Sequence, residues 1–211
     1  IPICKMKEKE MIFGIRAVIE AVEAGKEIDK VIVKRELQGD LFKELSTVLK
    51  AHDIPVQKVP IERIDRFTRK NHQGVIAFLS AITYEKIEDI IPFLYEQGKN
   101  PFILVLDGIT DVRNFGAIAR TCEVAGVNSI VIPAKGSVTV NADAIKTSAV
   151  ALLKIPVCKE QSLTSAIQFL KNSGIKVIAA SERSADNYTE VDYSGPIAFV
   201  IGSEDTGVSN E

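Results

Sequence analysis

Four short segments in the second half of the chain restrict its fold more than any other feature. Phe102–Leu106, Ser129–Ile132, Lys176–Ala180 and Ile197–Ile201 are near-continuous apolar runs of strand length. Between them lie segments with helical spacing, over Gly116–Ala125, Ala142–Leu153 and Leu163–Asn172, and a short strand around Pro156–Cys158. A strand that is apolar on both faces must be covered on both, and helices between successive strands provide that cover. The pattern predicts a parallel sheet with helices on either side. Ligand loops in such a sheet sit at the carboxyl ends of its strands.

The first half reads as a separate, smaller α/β unit. Phe13–Ala24 places Ile15, Val18, Ile19 and Val22 on one helical face, with Gly25 as a stop. Lys30–Val33, Pro55–Val59 and Gly74–Leu79 read as strands. Asp40 is placed to cap a helix through Leu41, Leu45, Val48 and Leu49, and Ile61–Thr68 reads as a short helix. Residues 81–100 break the apolar pattern and read as a connection, partly helical from Ile87 to Gln97. The expected organisation is a domain over 1–80, a linker over 81–100 and a second domain over 101–211.

Charge says little at the level of the whole chain, where 26 basic and 28 acidic residues give a net charge of −2. Residues 1–85 hold 15 basic and 13 acidic side chains against 11 and 15 in the rest, so an anionic partner would suit the first half. Cys4, Cys122 and Cys158 are far apart, and only His52 and His72 add imidazole, so no metal site is expected. The thiols read as reduced, in a cytoplasmic protein. The start shows no signal-peptide pattern, and no apolar run nears the roughly 20 residues of a membrane span.

The chain lacks G-x-G-x-x-G after either first strand, a Walker A loop, a G-x-S-x-G elbow and H-E-x-x-H. Two stretches stand out instead. In the first, strand Phe102–Leu106 runs through a polar loop from Asp107 to Arg113 into a helix of small residues, with Asn114 at its start and Arg120 within it. One reading is a plain strand–loop–helix with Asn114 as cap and a solvated Arg120. The other is a pocket above the strand ends, with Arg120 partly buried and therefore in need of an anion. In the second, Ala198 to Ile201 ends in Gly202-Ser203-Glu204-Asp205-Thr206-Gly207, where glycine permits close backbone approach and Glu204 supplies an acceptor.

In this order the two stretches resemble the first two signature motifs of the SpoU family of RNA ribose methyltransferases, in the SPOUT superfamily. Ile12–Val18 and Asn71–Val75 resemble the beginning and end of that family's small substrate-binding domain, and Asn141–Ala149 the segment between the motifs. The resemblance implies an α/β fold: a small substrate-binding domain plus a parallel-sheet methyltransferase domain with a trefoil knot. The family's third motif, expected after Gly207, is not among the 211 residues. A chain lacking it is expected to bind cofactor poorly.

The resemblance also implies S-adenosylmethionine as cofactor and RNA as substrate, most like the subgroup acting on a guanosine of large-subunit ribosomal RNA. Transfer RNA, or a non-catalytic assembly role, remains as an alternative. It makes Asn114, Arg120 and Glu204 the catalytic set, with Arg120 as the base or the group that activates the hydroxyl. Because guanidinium gives up its proton so reluctantly, a clamp on phosphate and the 2′-hydroxyl is the chemically favoured role. Ala180, Ser181, Ile201, Gly202 and Gly207 would line the cofactor pocket. It implies a homodimer through the second domain. RNA selection would fall to Arg63, Arg66, Arg69, Lys70 and His72, with Arg63, Arg66 and Lys70 sharing a helix face at this spacing. His72 reads equally well as a satisfied structural histidine.

Overall fold

The computed structural model of the chain describes residues 11–182, 184 and 187–209. It divides into two units between Ala81 and Ile82. In the first, a four-stranded sheet has the order β1-β4-β2-β3, made of β1 (Met11–Phe13), β2 (Ile28–Lys34), β3 (Val56–Val59) and β4 (Val75–Leu79). β4 runs antiparallel to β1 and β2, while β3 is parallel to β2.

Helices α1 (Ile15–Glu23) and α2 (Asp40–Ala51) bury Val18, Ile19, Val22, Leu45 and Leu49 with Val31, Val33, Val75 and Ala77. Full burial of each larger aliphatic chain contributes about 1.5–3 kcal/mol. Asp40 does not cap α2; that position is Gly39, and Asp40 instead pairs with Lys43 at the surface. α1 is capped from a distance, because Gln73 Oε1 accepts from the Ile15 N–H at 3.0 Å.

The second unit holds five parallel strands in the order β7-β6-β5-β9-β8. They are β5 (Phe102–Leu106), β6 (Ser129–Pro133), β7 (Val157–Glu160), β8 (Lys176–Ala180) and β9 (Ile197–Ile201). Strands β5, β8 and β9 have the bounds that the apolar runs predict. Helices α5 (Val112–Ala125) and α6 (Ala142–Thr147) bury Phe115, Ala119 and Ala144 on one face, against Leu104, Leu106, Ile130 and Ile132. Helices α4 (Ile87–Glu96) and α7 (Leu163–Asn172) bury Ile87, Ile91 and Leu170 on the other, against Ile103, Val105, Val131 and Val200. The order of the strands reverses between β5 and β9, and a crevice opens at such a point.

Two expectations give way here. The stretch 81–100 is not a free connection: Glu85 bridges to Cys158, and α4 is part of the second unit's core. The helix expected over Ala142–Leu153 is interrupted after Thr147. Ala149 and Val150 take φ of 49° and 74°, and a 3₁₀ turn follows at Ala151–Leu153. The Ser148 hydroxyl donates to the Ile145 carbonyl and accepts from the Leu152 N–H, offering the backbone an alternative to the helical ladder.

Glu160 links β7 to α4. Its Oε1 accepts from the Ile87 N–H at 3.0 Å, and the residue is 7% exposed. Burial, with Glu88 and Asp89 nearby, raises its pKa despite the Ile87 N–H and Lys86. A carboxyl that holds its proton more tightly when folded contributes stability at low pH and loses it as pH rises through the folded pKa. Glu160→Gln keeps the acceptor and removes the charge. Urea unfolding should therefore show the variant more stable than wild type at pH 8 and equal to it at pH 4. Equal stability at both pH values would contradict this.

Burial pushes the Cys122 thiol up to about 11 and the Cys158 thiol to about 12, so both stay protonated and unreactive. Cys4 lies outside the described residues. Among the described residues no helix is long and apolar enough to cross a membrane.

Candidate functional site

The loops after β5 and β9 meet at the carboxyl edge of the second unit's sheet. Beyond the paired strands, the Asp107 N–H donates to the Ile201 carbonyl at 2.9 Å. A Cβ on Gly108 would lie 3.6 Å from the Ser203 Cβ, so the two loops are in contact. Further along, the Ser209 N–H donates to Asp107 Oδ2 at 2.7 Å, tying the second loop to the first.

Asp111, not Asn114, caps α5. Its Oδ1 accepts from the Arg113 and Asn114 N–H groups at 2.8 Å each, and the helix starts at Val112 rather than Gly116. Asn114 is thereby the third residue of the helix, exposed, and its amide is not consumed by capping. Arg120 is exposed as well, so the expectation of partial burial does not hold. Six residues of α-helix turn the two side chains about 120° apart and advance them about 9 Å along the axis. Arg120 instead shares its face with Arg113, seven residues earlier, a relation the sequence reading missed although the i, i+7 spacing carries it. α5 lies close against α6, since a Cβ on Gly116 would come within 2.7 Å of the Thr147 Cβ.

The second loop is built on glycine. A Cβ on Gly202 would fall 1.9 Å from the Gly207 carbonyl carbon, so the two backbones touch. The Gly207 N–H donates to the Ser203 carbonyl at 2.9 Å, and the Ser203 and Thr206 hydroxyls lie 2.6 Å apart. This closes a tight turn with Glu204 exposed at its tip. No hydrogen bond or ion pair among the described residues joins Asn114, Arg120 and Glu204.

Ala180 and Ile201 are register partners at the ends of β8 and β9. Ala180 and Ser181 are exposed, Ile201 and Gly202 half-buried and Gly207 exposed. This strip holds small, apolar and hydroxyl groups without a cation, which suits a sulfonium-bearing nucleoside chemically. None of the five residues lines the neighbouring cavity of about 400 Å³, whose walls include Asp107, Lys135, Ser162, Ile167, Val208 and Ser209. The sequence reading missed Lys135 and Ser162, and their signal was their place just after β6 and β7.

In the first unit, α3 spans only Ile61–Asp65 and Arg66 follows as its C-cap, so Arg63, Arg66 and Lys70 share no helix face. The helix stops because Phe67 turns in to meet the Phe78 ring edge-on at 5.2 Å, while the Thr68 hydroxyl accepts from the Lys70 N–H. Arg63, Arg66, Arg69 and Lys70 are all exposed. His72 is tied into the fold. Its Nδ1 accepts from the Gly74 N–H at 3.0 Å, which assigns the proton to Nε2, 2.9 Å from Asp65 Oδ1. Both ring nitrogens are thus used within the fold.

Comparison with known proteins agrees with this architecture. The profile of the SpoU rRNA methylase family matches residues 101–211, and that of the RNA 2′-O ribose methyltransferase substrate-binding domain matches residues 11–85. A Staphylococcus saprophyticus protein named as a TrmH-family tRNA/rRNA methyltransferase is 32% identical over 202 residues, 96% of this chain and 81% of its own. A Bacillus subtilis relative named in the same way is 29% identical over the same coverage. An rRNA methyltransferase structure from Sinorhizobium meliloti aligns with TM-score 0.53 at 23% identity, covering 95% of this chain and 73% of that one. The AdoMet complex of AviRb from Streptomyces viridochromogenes aligns with TM-score 0.53 at 18% identity, over 95% and 75%. With its second half matched from strand β5 onward and its first unit matched to the companion substrate-binding domain, the chain belongs to the SpoU family of RNA methyltransferases.

Proposed function

We propose that this chain transfers a methyl group from S-adenosylmethionine to the 2′-hydroxyl of a ribose in ribosomal RNA. Its membership of the SpoU family makes it an RNA methyltransferase. The observation that carries the finer reading is the contact between the two motif loops at the β5/β9 crevice, with Asn114, Arg120 and Glu204 all open to a ligand.

A neutral ribose hydroxyl is a weak nucleophile, so the site must polarise it and orient it. A guanidinium offers five N–H donors and no acceptor, so Arg120 donates and does not take the proton itself. Its guanidinium instead holds a phosphate of the substrate and favours negative charge building on the 2′-oxygen. A phosphate oxygen held this way accepts the hydroxyl proton. Asn114 orients the ribose through its free amide, and Glu204 positions the polar groups that arrive between the loops. Ala180, Ser181, Ile201, Gly202 and Gly207 would hold S-adenosylmethionine, which when bound supplies an electrophilic methyl group.

A homodimer through the second unit belongs to the same reading. Val124 of α5, Leu153 of the 3₁₀ turn packed beside it and Val150, which precedes that turn, are exposed by 87%, 58% and 48%. They provide apolar surface for a second copy. The ribosomal substrate is tested by incubating the chain with tritiated S-adenosylmethionine and either ribosomal RNA fragments or transfer RNA. Label entering ribosomal fragments supports the reading, and label entering only transfer RNA overturns it.

A further inference from the structure

We propose that the sheet face carrying Phe13 binds single-stranded RNA, with one unpaired base stacked on the Phe13 ring and Arg66, Arg69 and Lys70 on the flanking phosphates. This rests on the reading of the chain as an RNA enzyme and names which surface of its first unit takes the substrate.

The two faces of the first unit's sheet are covered unequally. α1 and α2 cover one; on the other lie the five residues of α3 and the turn at Phe67. Phe13 sits on edge strand β1, beside Ile76 of β4, and remains half-buried. The Lys70 Nζ lies 5.8 Å from the centre of its ring, and on the same sheet face the Lys30 Nζ lies 5.6 Å from the centre of the Phe78 ring. A cation so placed marks the electron-rich face of an aromatic ring.

Where the α3 helix ends, Arg66 is its C-cap, and Arg69 and Lys70 follow on irregular backbone and not on one helical stripe. The Lys70 ammonium thus lies over one half-buried ring, and two further exposed cations, Arg66 and Arg69, precede it within four residues of chain. Aromatic faces within a basic surface are how proteins hold single strands, each ring taking one base while the cations follow the backbone. A base in a duplex is already stacked on both sides, so this arrangement selects unpaired nucleotides. On binding, the base takes the place of the Lys70 ammonium over the ring and Lys70 moves to a phosphate. His72 and Gln73, which follow shortly after Lys70, are both engaged in the fold, to Asp65 and Gly74 and to Ile15.

The chain contains no tryptophan, so Phe13→Trp introduces a single indole at the proposed platform. Titration with a single-stranded RNA decamer should quench its fluorescence, and a blunt duplex of the same sequence should not. Phe13→Leu, which keeps an apolar side chain at the strand edge, should weaken decamer binding about tenfold with little effect on the duplex. Arg66→Ala with Arg69→Ala should weaken both RNAs and reduce the salt slope by about 0.7 per lost contact on the single strand. An unquenched indole with wild-type decamer affinity in Phe13→Leu would overturn the platform while leaving the RNA reading intact. Failure of the unaltered chain to bind either RNA would overturn the RNA reading itself.

Discussion

Arg120→Ala should lower kcat/KM for RNA methylation by about 10²–10⁴-fold, the range found when a group that assists proton transfer is removed. The side chain is exposed on α5 and is given no structural partner among the described residues, so its loss should cost within about 0.5 kcal/mol of stability. Activity and stability therefore separate cleanly at this position. Arg120→Lys should recover little, because a point-charge ammonium does not reproduce the planar, bidentate grip of guanidinium on phosphate. Initial rates with labelled S-adenosylmethionine, alongside thermal melts, make the comparison. Wild-type turnover in Arg120→Ala would remove Arg120 from the mechanism.

Gly202→Ala should be nearly as damaging for a different reason. The added methyl would sit 1.9, 2.0 and 2.2 Å from the Gly207 carbon, the Gly207 oxygen and the Val208 nitrogen. These are backbone atoms, and no rotamer change moves them aside. Gly202 is not among the glycines with positive φ, so the effect is steric and not a matter of backbone preference. The turn from Ser203 to Gly207 must swing away, carrying Glu204 with it and breaking the Ser209–Asp107 hydrogen bond. A shift of about 1 Å at a reacting centre costs on the order of a hundredfold in rate. Methyl transfer should fall at least that far, with faster hydrogen exchange at Ser209 and weaker S-adenosylmethionine binding by calorimetry. Unchanged exchange and activity would show that the turn tolerates the methyl.

The apolar strands were legible because both faces of the parallel sheet are covered, and Phe102–Leu106 and Ile197–Ile201 leave no other way to bury their side chains. The two motif loops were legible from their order and residue types. What the sequence did not reveal depended on which of two local options tertiary contacts select. Asp111 and Asn114 are both good caps three residues apart. The preceding loop is fixed by the Val138 N–H donating to the Ile109 carbonyl, and α5 starts at the earlier cap.

The segment 81–100 looked like a linker because Glu85, Lys86, Glu88 and Asp89 dilute its pattern. Ile87, Ile91 and Leu94 nevertheless keep helical spacing, and Glu160, 73 residues beyond Ile87, meets the helix start. Arg63 to Lys70 looked helical by spacing, but Phe67 has a better place against Phe78 than in another turn of α3. Each of these choices depends on a contact distant in sequence, which periodicity does not carry.

In the proposed reaction the methyl group goes to a ribose oxygen. A 2′-O-methyl group blocks alkaline cleavage of the following phosphodiester, because the neighbouring hydroxyl that would attack it is gone. RNA labelled by this chain with tritiated S-adenosylmethionine should therefore, after alkaline hydrolysis, carry its label in alkali-resistant dinucleotides. Label released in mononucleotides would place the methyl on a base and contradict the account.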